Sequence, residues 1–203
     1  MAEIQEIPLF PLRSVLFPRG KLSLQIFEKR YIDMVANSLR DGSGFGVILL
    51  KDGEEVMKPG RSQQLYAIGT YARIIDWDQL ENGLLGITVE GESKFHVQNY
   101  WSTESGLLKG QIIFSEVDTP DKNRISVGEE MSGMTELLQL LEKHPAVQEM
   151  KLQIDYDNLW DLGWRLSELI PVATEIRQEL LELDDPWERI QLLERSIHFL
   201  IGD

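Results

Sequence analysis

Chemistry in this chain would have to come from three histidines, one cluster of aspartates, a glycine-rich loop and a few neighbouring carboxylates, because the chain contains no cysteine. That absence removes thiolate nucleophiles, thiolate metal sites, CxxC redox pairs and disulfides together. His96, His144 and His198 stand far apart and none belongs to an HExxH or similar ligand spacing, so they read as packing or surface residues. Asp155, Asp157 and Asp161 lie close enough to suggest calcium. However, Leu159 and Trp160 fall where an EF-hand loop needs a ligand and its glycine, and no distal glutamate follows in place. The acids better fit a helix start, where the backbone dipole favours negative charge. Gly42-Ser43-Gly44-Phe45-Gly46 follows a helix and precedes a strand. A phosphate-binding loop has the opposite polarity, with its amides at a helix start. Ser43 also lacks the pattern of a nucleophile elbow, and Asp76 and Asp78, near a hairpin tip, read as solvated. No catalytic, cofactor-binding or metal-binding residue is assigned from these spacings.

The elements that would position such groups change character along the chain. Prolines at 8, 11 and 18 each lack an amide donor and disfavour helix just before them, so 7–20 must be edge strand or loop. Leu22, Leu24 and Ile26 alternate with polar residues at the strand period. From Glu28 onward, Tyr31, Met34, Val35 and Leu39 fall at three- and four-residue steps, which predicts a short amphipathic helix capped by Gly42. Phe45 to Leu50 suits a buried strand. Residues 66–77 and 84–89, separated by Asn82-Gly83, predict a hairpin whose turn takes two positive-φ residues. Further strands are expected over 94–101 and 107–114, six or seven in all.

After Asp118-Thr119-Pro120-Asp121 the pattern is helical. Met134, Leu137, Leu138 and Leu141 form one stripe, and Leu159, Leu162, Leu166 and Leu169 form another ending before Pro171. A third begins at Ile176, with Leu180, Leu181 and Leu183. Asp185-Pro186-Trp187-Glu188 reads as a cap, a first-position proline and an early acid, opening a last helix with Ile190, Leu193, Ile197 and Leu200 that stops at Gly202. The expected class is α+β: a β-rich subdomain at 1–117 and a helical bundle of about four members at 118–203.

Composition narrows the partners. The formal charge of −14 divides as −2 over residues 1–115 and −12 over 116–203, so the second half should repel nucleic acid and anionic membranes. Residues 1–6 carry two acids and no basic run, so no secretory signal is read there. No window approaches the ~20 apolar residues needed to span a bilayer. A soluble cytoplasmic protein is the expectation.

Four segments carry a resemblance: PLFPLRSVLFPRGKLSLQIFEKRYIDMV (8–35), LYAIGTYARIIDW (65–77), ITVEGESKFHV (87–97) and IPVATEIRQELLELDDPWERIQLL (170–193). Together and in this order they resemble the N-terminal domain family of the ATP-dependent protease Lon (peptidase S16), with its Pro-Leu-Arg and Phe-Pro pattern, Gly-Thr-x-Ala-x-Ile strand, Val-x-Gly strand and closing helix pair. The resemblance implies a PUA-like pseudobarrel with one inserted helix, joined to a helical subdomain. In the full protease this region precedes a AAA+ ATPase and a Ser-Lys protease and helps engage substrates. The only Gly-Lys, at 20–21, is followed by Leu22, with Val15 where a Walker loop needs its first glycine. The serine-lysine protease motif has no match in these residues.

What the resemblance implies is a non-catalytic module that binds unfolded or exposed polypeptide, alongside a protease or chaperone, through an apolar patch, a strand edge or a groove. Three residues are candidates for that contact. Arg13, in the Pro-Leu-Arg motif, either meets a ligand or anchors its loop to a carboxylate, the second being favoured. Trp77 and Trp101, at strand ends, either serve a peptide surface or cover the end of the barrel. Trp160, Trp164 and Trp187 read as wedges between helices, and Tyr31 as core. The rival reading is RNA or small-ligand binding through the PUA-like barrel at Arg13, Arg19, Lys21, Lys29 and Arg30. Glu28 and Asp33 interrupt that cluster, which favours scattered surface charge.

Overall fold

The computed structural model describes residues 3–55, 63–117 and 123–202. The chain divides into two compact units, Met1–Ser115 and Glu116–Asp203. The Asp118-Thr119-Pro120-Asp121 run on which the sequence boundary rests lies outside the described residues. Among those described, no helix is long and apolar enough to cross a membrane.

The first unit contains β1 (Gln5–Leu12), β2 (Lys21–Ile26), α1 (Lys29–Asp41), β3 (Phe45–Asp52), β4 (Gln64–Gln79), β5 (Leu85–Ser102) and β6 (Leu108–Phe114). The sheet runs in the order β2-β5-β4-β3-β1-β6, with β6 pairing β5 as well. The ladder through β1, β3, β4, β5 and β6 therefore returns to its first strand, while β2 hangs on β5 as an edge. β1 and β3 are parallel, joined through α1, and the other pairs are antiparallel.

β1 is apolar on both faces, and each face has its own cluster. Ile7 and Leu9 join Ile48, Phe95, Leu108 and Ile112, drawn from the strands of the closed ladder. Phe10 and Leu12 face the other way, onto Tyr31, Met34 and Val35 of α1 and onto Phe45, Val47, Ile87 and Val89. A fully buried side chain of this size contributes about 1.5–3 kcal/mol, so the two faces together outweigh the missing proline hydrogen bonds. Phe95 fits because Gly69 has no side chain. A Cβ there would lie 2.8 Å from the Phe95 ring and 2.5 Å from the Val47 carbonyl oxygen. Thr70 next to it is buried and donates to the Leu16 carbonyl at 2.6 Å. The Gly-Thr-x-Ala pattern is thus a packing requirement: Gly69 seats the ring, Thr70 ties down the 13–20 loop, and Ala72 is fully buried against the α1 side.

α1 ends at Gly42, which adopts the left-handed conformation expected of a cap (φ 65°). Leu39 departs from the expected stripe, being 45% exposed, whereas Ser38 is buried. The helix face that meets the sheet is centred on Tyr31, Met34, Val35 and Ser38, and Leu39 falls one position past it. The β4–β5 hairpin also differs in detail. Leu80 N donates to Leu84 O, Gly83 N donates to Leu80 O, and only Gly83 takes positive φ (80°). Asn82 instead accepts from Leu84 N through its side chain. This is the three-residue loop with a glycine bulge rather than the two-residue turn. The pieces expected at 84–89 and 94–101 are one long strand, β5, whose pairing shifts register beside Gly91 and lets it serve β2 at one end and β6 at the other.

The second unit holds a 3-10 turn (Glu129–Met131) followed by α2 (Ser132–Glu142), α3 (Pro145–Glu149), α4 (Leu159–Leu169), α5 (Thr174–Glu182) and α6 (Pro186–Ile201). Asn158 caps α4, and Asp185 caps α6 by accepting from Trp187 N and Glu188 N. Leu159, Leu162, Leu166, Leu180, Leu181, Ile190 and Leu193 are buried. Trp160 and Trp164 wedge the interior at 2% and 0% exposure, but Trp187, in the first turn of α6 and pointing off its buried stripe, is 37% exposed. Leu200, taken with the α6 stripe, is likewise exposed because the stripe rotates away in the last turn. Fully buried Arg189 donates to the Leu180 and Leu183 carbonyls and lies over both tryptophans, so it caps the end of α5 from the body of α6.

Candidate functional site

Among the described residues β2 pairs with β5 and no other strand, so along Leu22–Ile26 its second edge carries no strand. Across from it, β6 pairs with β1 only as far as Leu9, which leaves the Phe10–Leu12 stretch paired on its β3 side alone. Between these two edges lies a hollow of about 210 Å³, bounded by Phe10 to Leu12, by Ser23 to Glu28, and by Tyr31 and Glu55. Over the paired side of β2, away from the free edge, a second hollow of about 240 Å³ shares Ser23, Leu24 and Gln25 and is completed by Gly86 to Thr88 of β5 and by Asp76, Trp77, Asp78 and Leu80. The edge strand is therefore flanked by two concavities. Each offers apolar surface that water covers poorly: Trp77 is 60% exposed and Phe27 57%.

Tyr31 lines the first hollow, and Arg30 packs on its ring. Buried Arg30 donates to both oxygens of Glu28, to the Gly106 carbonyl at 2.7 Å and to the Glu55 carbonyl at 3.3 Å. Its guanidinium lies 4.4 Å above the Tyr31 ring. The Tyr31 hydroxyl is buried and has no hydrogen-bond partner among the described residues. Burial pushes that hydroxyl well above the ordinary tyrosine range, while the nearby guanidinium of Arg30 pulls the other way. The surroundings are acidic. Glu28 and Glu55 bound this hollow, and Asp76 and Asp78 bound the other. Both aspartates are exposed, each accepting from the next backbone amide.

The three candidate contact residues are not gathered in one place. Trp77 pairs with Ile87 near the start of β5, on the second hollow. Trp101 lies at the far end of β5, opposite Lys109. Arg13 anchors its loop, but not through the ion pair expected: its guanidinium donates to the Gly53 carbonyl, and its backbone amide takes the Glu55 carboxylate. The basic cluster of the rival reading is largely occupied. Arg30 is buried on Glu28, and Lys29 pairs with Asp33 at 3.6 Å. Arg124 bridges Asp155 and Asp157, and Asp161 accepts from Asp155 N, so the aspartate cluster is an arginine-clamped helix start. His144 accepts from Ala146 N at the start of α3, His96 sits mid-strand, and His198 is exposed on α6. The glycine run at 42–46 connects α1 to β3, with Gly44 N donating to the Tyr71 hydroxyl at 2.6 Å.

Sequence reasoning missed Tyr31, Phe27 and the free edge itself. Periodicity marks Tyr31 as core and says nothing about whether its hydroxyl finds a partner. The three early prolines pointed to an edge within 7–20, but β1 lies between β3 and β6 and the edge falls on proline-free β2, because Pro8 is in the stretch paired with β6 alone and Pro11 in the stretch paired with β3 alone.

Comparison with known proteins agrees with this architecture. The family model described as the "ATP-dependent protease La (LON) substrate-binding domain" matches residues 6–198. The Lon protease of Brevibacillus choshinensis is 26% identical over 93% of this chain and 24% of its own length. Lon protease 2 of Myxococcus xanthus is 29% identical over 93% and 23%. The chain therefore spans about a quarter of the length of these relatives. Among solved structures, a Lon N-terminal domain protein from Xanthomonas campestris superimposes with a TM-score of 0.75 at 33% identity, covering 95% of this chain and 98% of that one. The N-terminal domain of Lon protease from the Mycobacterium avium complex shares the fold, with a TM-score of 0.61 at 14% identity over 93% and 96% of the two chains. From a match over nearly its whole length, the chain belongs to the Lon substrate-binding domain family.

Proposed function

We propose that this chain is a non-catalytic module that holds extended polypeptide segments by adding them as a strand along the free edge of β2. The observation that carries the reading is that edge, without a second strand along Leu22–Ile26 among the described residues and flanked by two hollows, with Phe27 exposed beside it. Strand addition draws affinity from backbone hydrogen bonds, which any sequence supplies, and selectivity from pockets for alternate side chains. That combination suits a receptor for unfolded or exposed segments of many proteins, working beside a protease or chaperone. The closed ladder is read here as the PUA-like pseudobarrel, and α2 to α6 as the accompanying helical bundle. Of the candidate contacts, Trp77 lines the second hollow, across β5 from the free edge. Arg13 shapes the rim of the first hollow through Glu55, and Trp101 lies away from both.

The test is a fluorescence anisotropy titration of purified protein with a labelled, permanently unfolded model polypeptide. Saturable binding that changes little with salt is expected, and Phe27→Ala, beside the free edge, should weaken it about 5- to 30-fold, the range for an exposed aromatic anchor. An absence of binding at high micromolar concentration, or retention of RNA in place of polypeptide, would overturn the reading.

A further inference from the structure

We infer that Asp76 and Asp78 close a second sheet edge, on the outer part of β4, against pairing with another chain; this closure holds whatever β2 binds. β3 accompanies β4 only as far as Ala72, so among the described residues the stretch from Arg73 to Gln79 has β5 on one side and no strand on the other. The hairpin shows which amides face that open side. Leu80 N donates across to Leu84 O, so Leu80 turns its backbone groups toward β5. Direction alternates along a strand, and Gln79 and Trp77, one and three residues back, therefore turn their amides outward. Those two amides are the ones the aspartates take. Asp76 Oδ1 accepts from Trp77 N at 2.9 Å, and Asp78 Oδ1 accepts from Gln79 N at 2.7 Å. A strand arriving here meets carbonyls and carboxylates, and finds no free donor at these two positions until the side chains let go. The stretch is otherwise adhesive: Ile75 is 48% and Trp77 60% exposed, and an open edge carrying β-branched and aromatic side chains is a template for association.

Two double variants of the full chain test this. Asp76→Ala with Asp78→Ala removes both acceptors, whereas Asp76→Asn with Asp78→Asn keeps an acceptor oxygen at each position and discards the charge. Both aspartates are exposed, so both variants should melt as the parent does. Sedimentation velocity at a series of protein concentrations is expected to show the alanine pair self-associating about tenfold more tightly than the parent, with the asparagine pair behaving as the parent does. Amide hydrogen exchange of the parent, read by nuclear magnetic resonance, is the second measurement: Trp77 and Gln79 should exchange several-fold more slowly than in an unstructured peptide of the same sequence. An alanine pair that folds and sediments as the parent does overturns the closure. So does an asparagine pair that associates as strongly as the alanine pair, since charge and not amide capture would then keep chains apart. Unprotected Trp77 and Gln79 amides in the parent overturn it as well, even where the alanine pair fails to fold.

Discussion

Replacing Gly91 by alanine tests how the 13–20 loop delivers β2 to the sheet. The loop crosses β5 at this residue: Arg19 N donates to Gly91 O at 2.7 Å and Gly91 N to Gly20 O at 2.9 Å. An added Cβ would lie 2.4 Å from the Phe17 carbonyl oxygen and 2.9 Å from the Thr70 methyl. Ordinary contact begins at 3.4 Å, so the Phe17 backbone would have to retreat by about 1 Å. Phe17 is 1% exposed, and Leu16 beside it accepts the Thr70 hydroxyl, so the loop cannot lift without giving up packing and a buried hydrogen bond. Overpacking of this kind costs about 1–3 kcal/mol, and the strained hydrogen bond about 1 more. A loss of roughly 2–4 kcal/mol is expected, equivalent to a fall in melting temperature of about 4–16 °C. Urea unfolding followed by far-ultraviolet circular dichroism measures it. Gly133→Ala is the control: an added methyl there meets nothing within 4 Å, on an exposed turn of α2, so that variant should hold or gain up to about 1 kcal/mol. A Gly91→Ala protein within about 0.5 kcal/mol of the parent, at unchanged slope against urea, would refute the view that the loop is clamped there.

Three further outcomes are expected. Asp185→Ala removes the side chain that accepts from Trp187 N and Glu188 N and should cost about 1 kcal/mol of stability, read by thermal or urea unfolding. Arg189→Met should cost more, about 3 kcal/mol, because it strands the Leu180 and Leu183 carbonyls in the interior, and a loss under 1 kcal/mol would contradict the capping role. The Tyr31 hydroxyl is held above its ordinary value of 10.0 in the folded state, mainly by burial. Its contribution is therefore fully present below about pH 10 and lost as pH rises beyond it, so alkaline melts should fall less steeply in Tyr31→Phe.

Local signals carried much of the fold. The alternation of Leu22, Leu24 and Ile26, the apolar run at Phe45, the turn glycine at 83 and the Asp185-Pro186 helix start act within a few residues, and each lies where its chemistry places it. What escaped was non-local. Nothing near residues 5–9 announces that β6 will pair there, nor that one strand will serve both β2 and β6. Ser38 and Leu39 exchanged roles because the helix phase follows the direction of the sheet, which one-dimensional periodicity leaves free. Trp77 was visible as an aromatic near a strand end, though not as an exposed one, whereas the Tyr31 hollow depends on two edges meeting from distant parts of the chain.

The pairing of Gln5 with Ile112 has a kinetic side. While the polypeptide is being synthesised, its opening strand must wait for more than a hundred residues before that mate exists, and closures of such long range are slow. An apolar ribbon left waiting invites neighbouring nascent chains to zip onto it. Pro8 and Pro11, by withholding two amides from any would-be intruder, make the delay safer at small cost to the finished sheet.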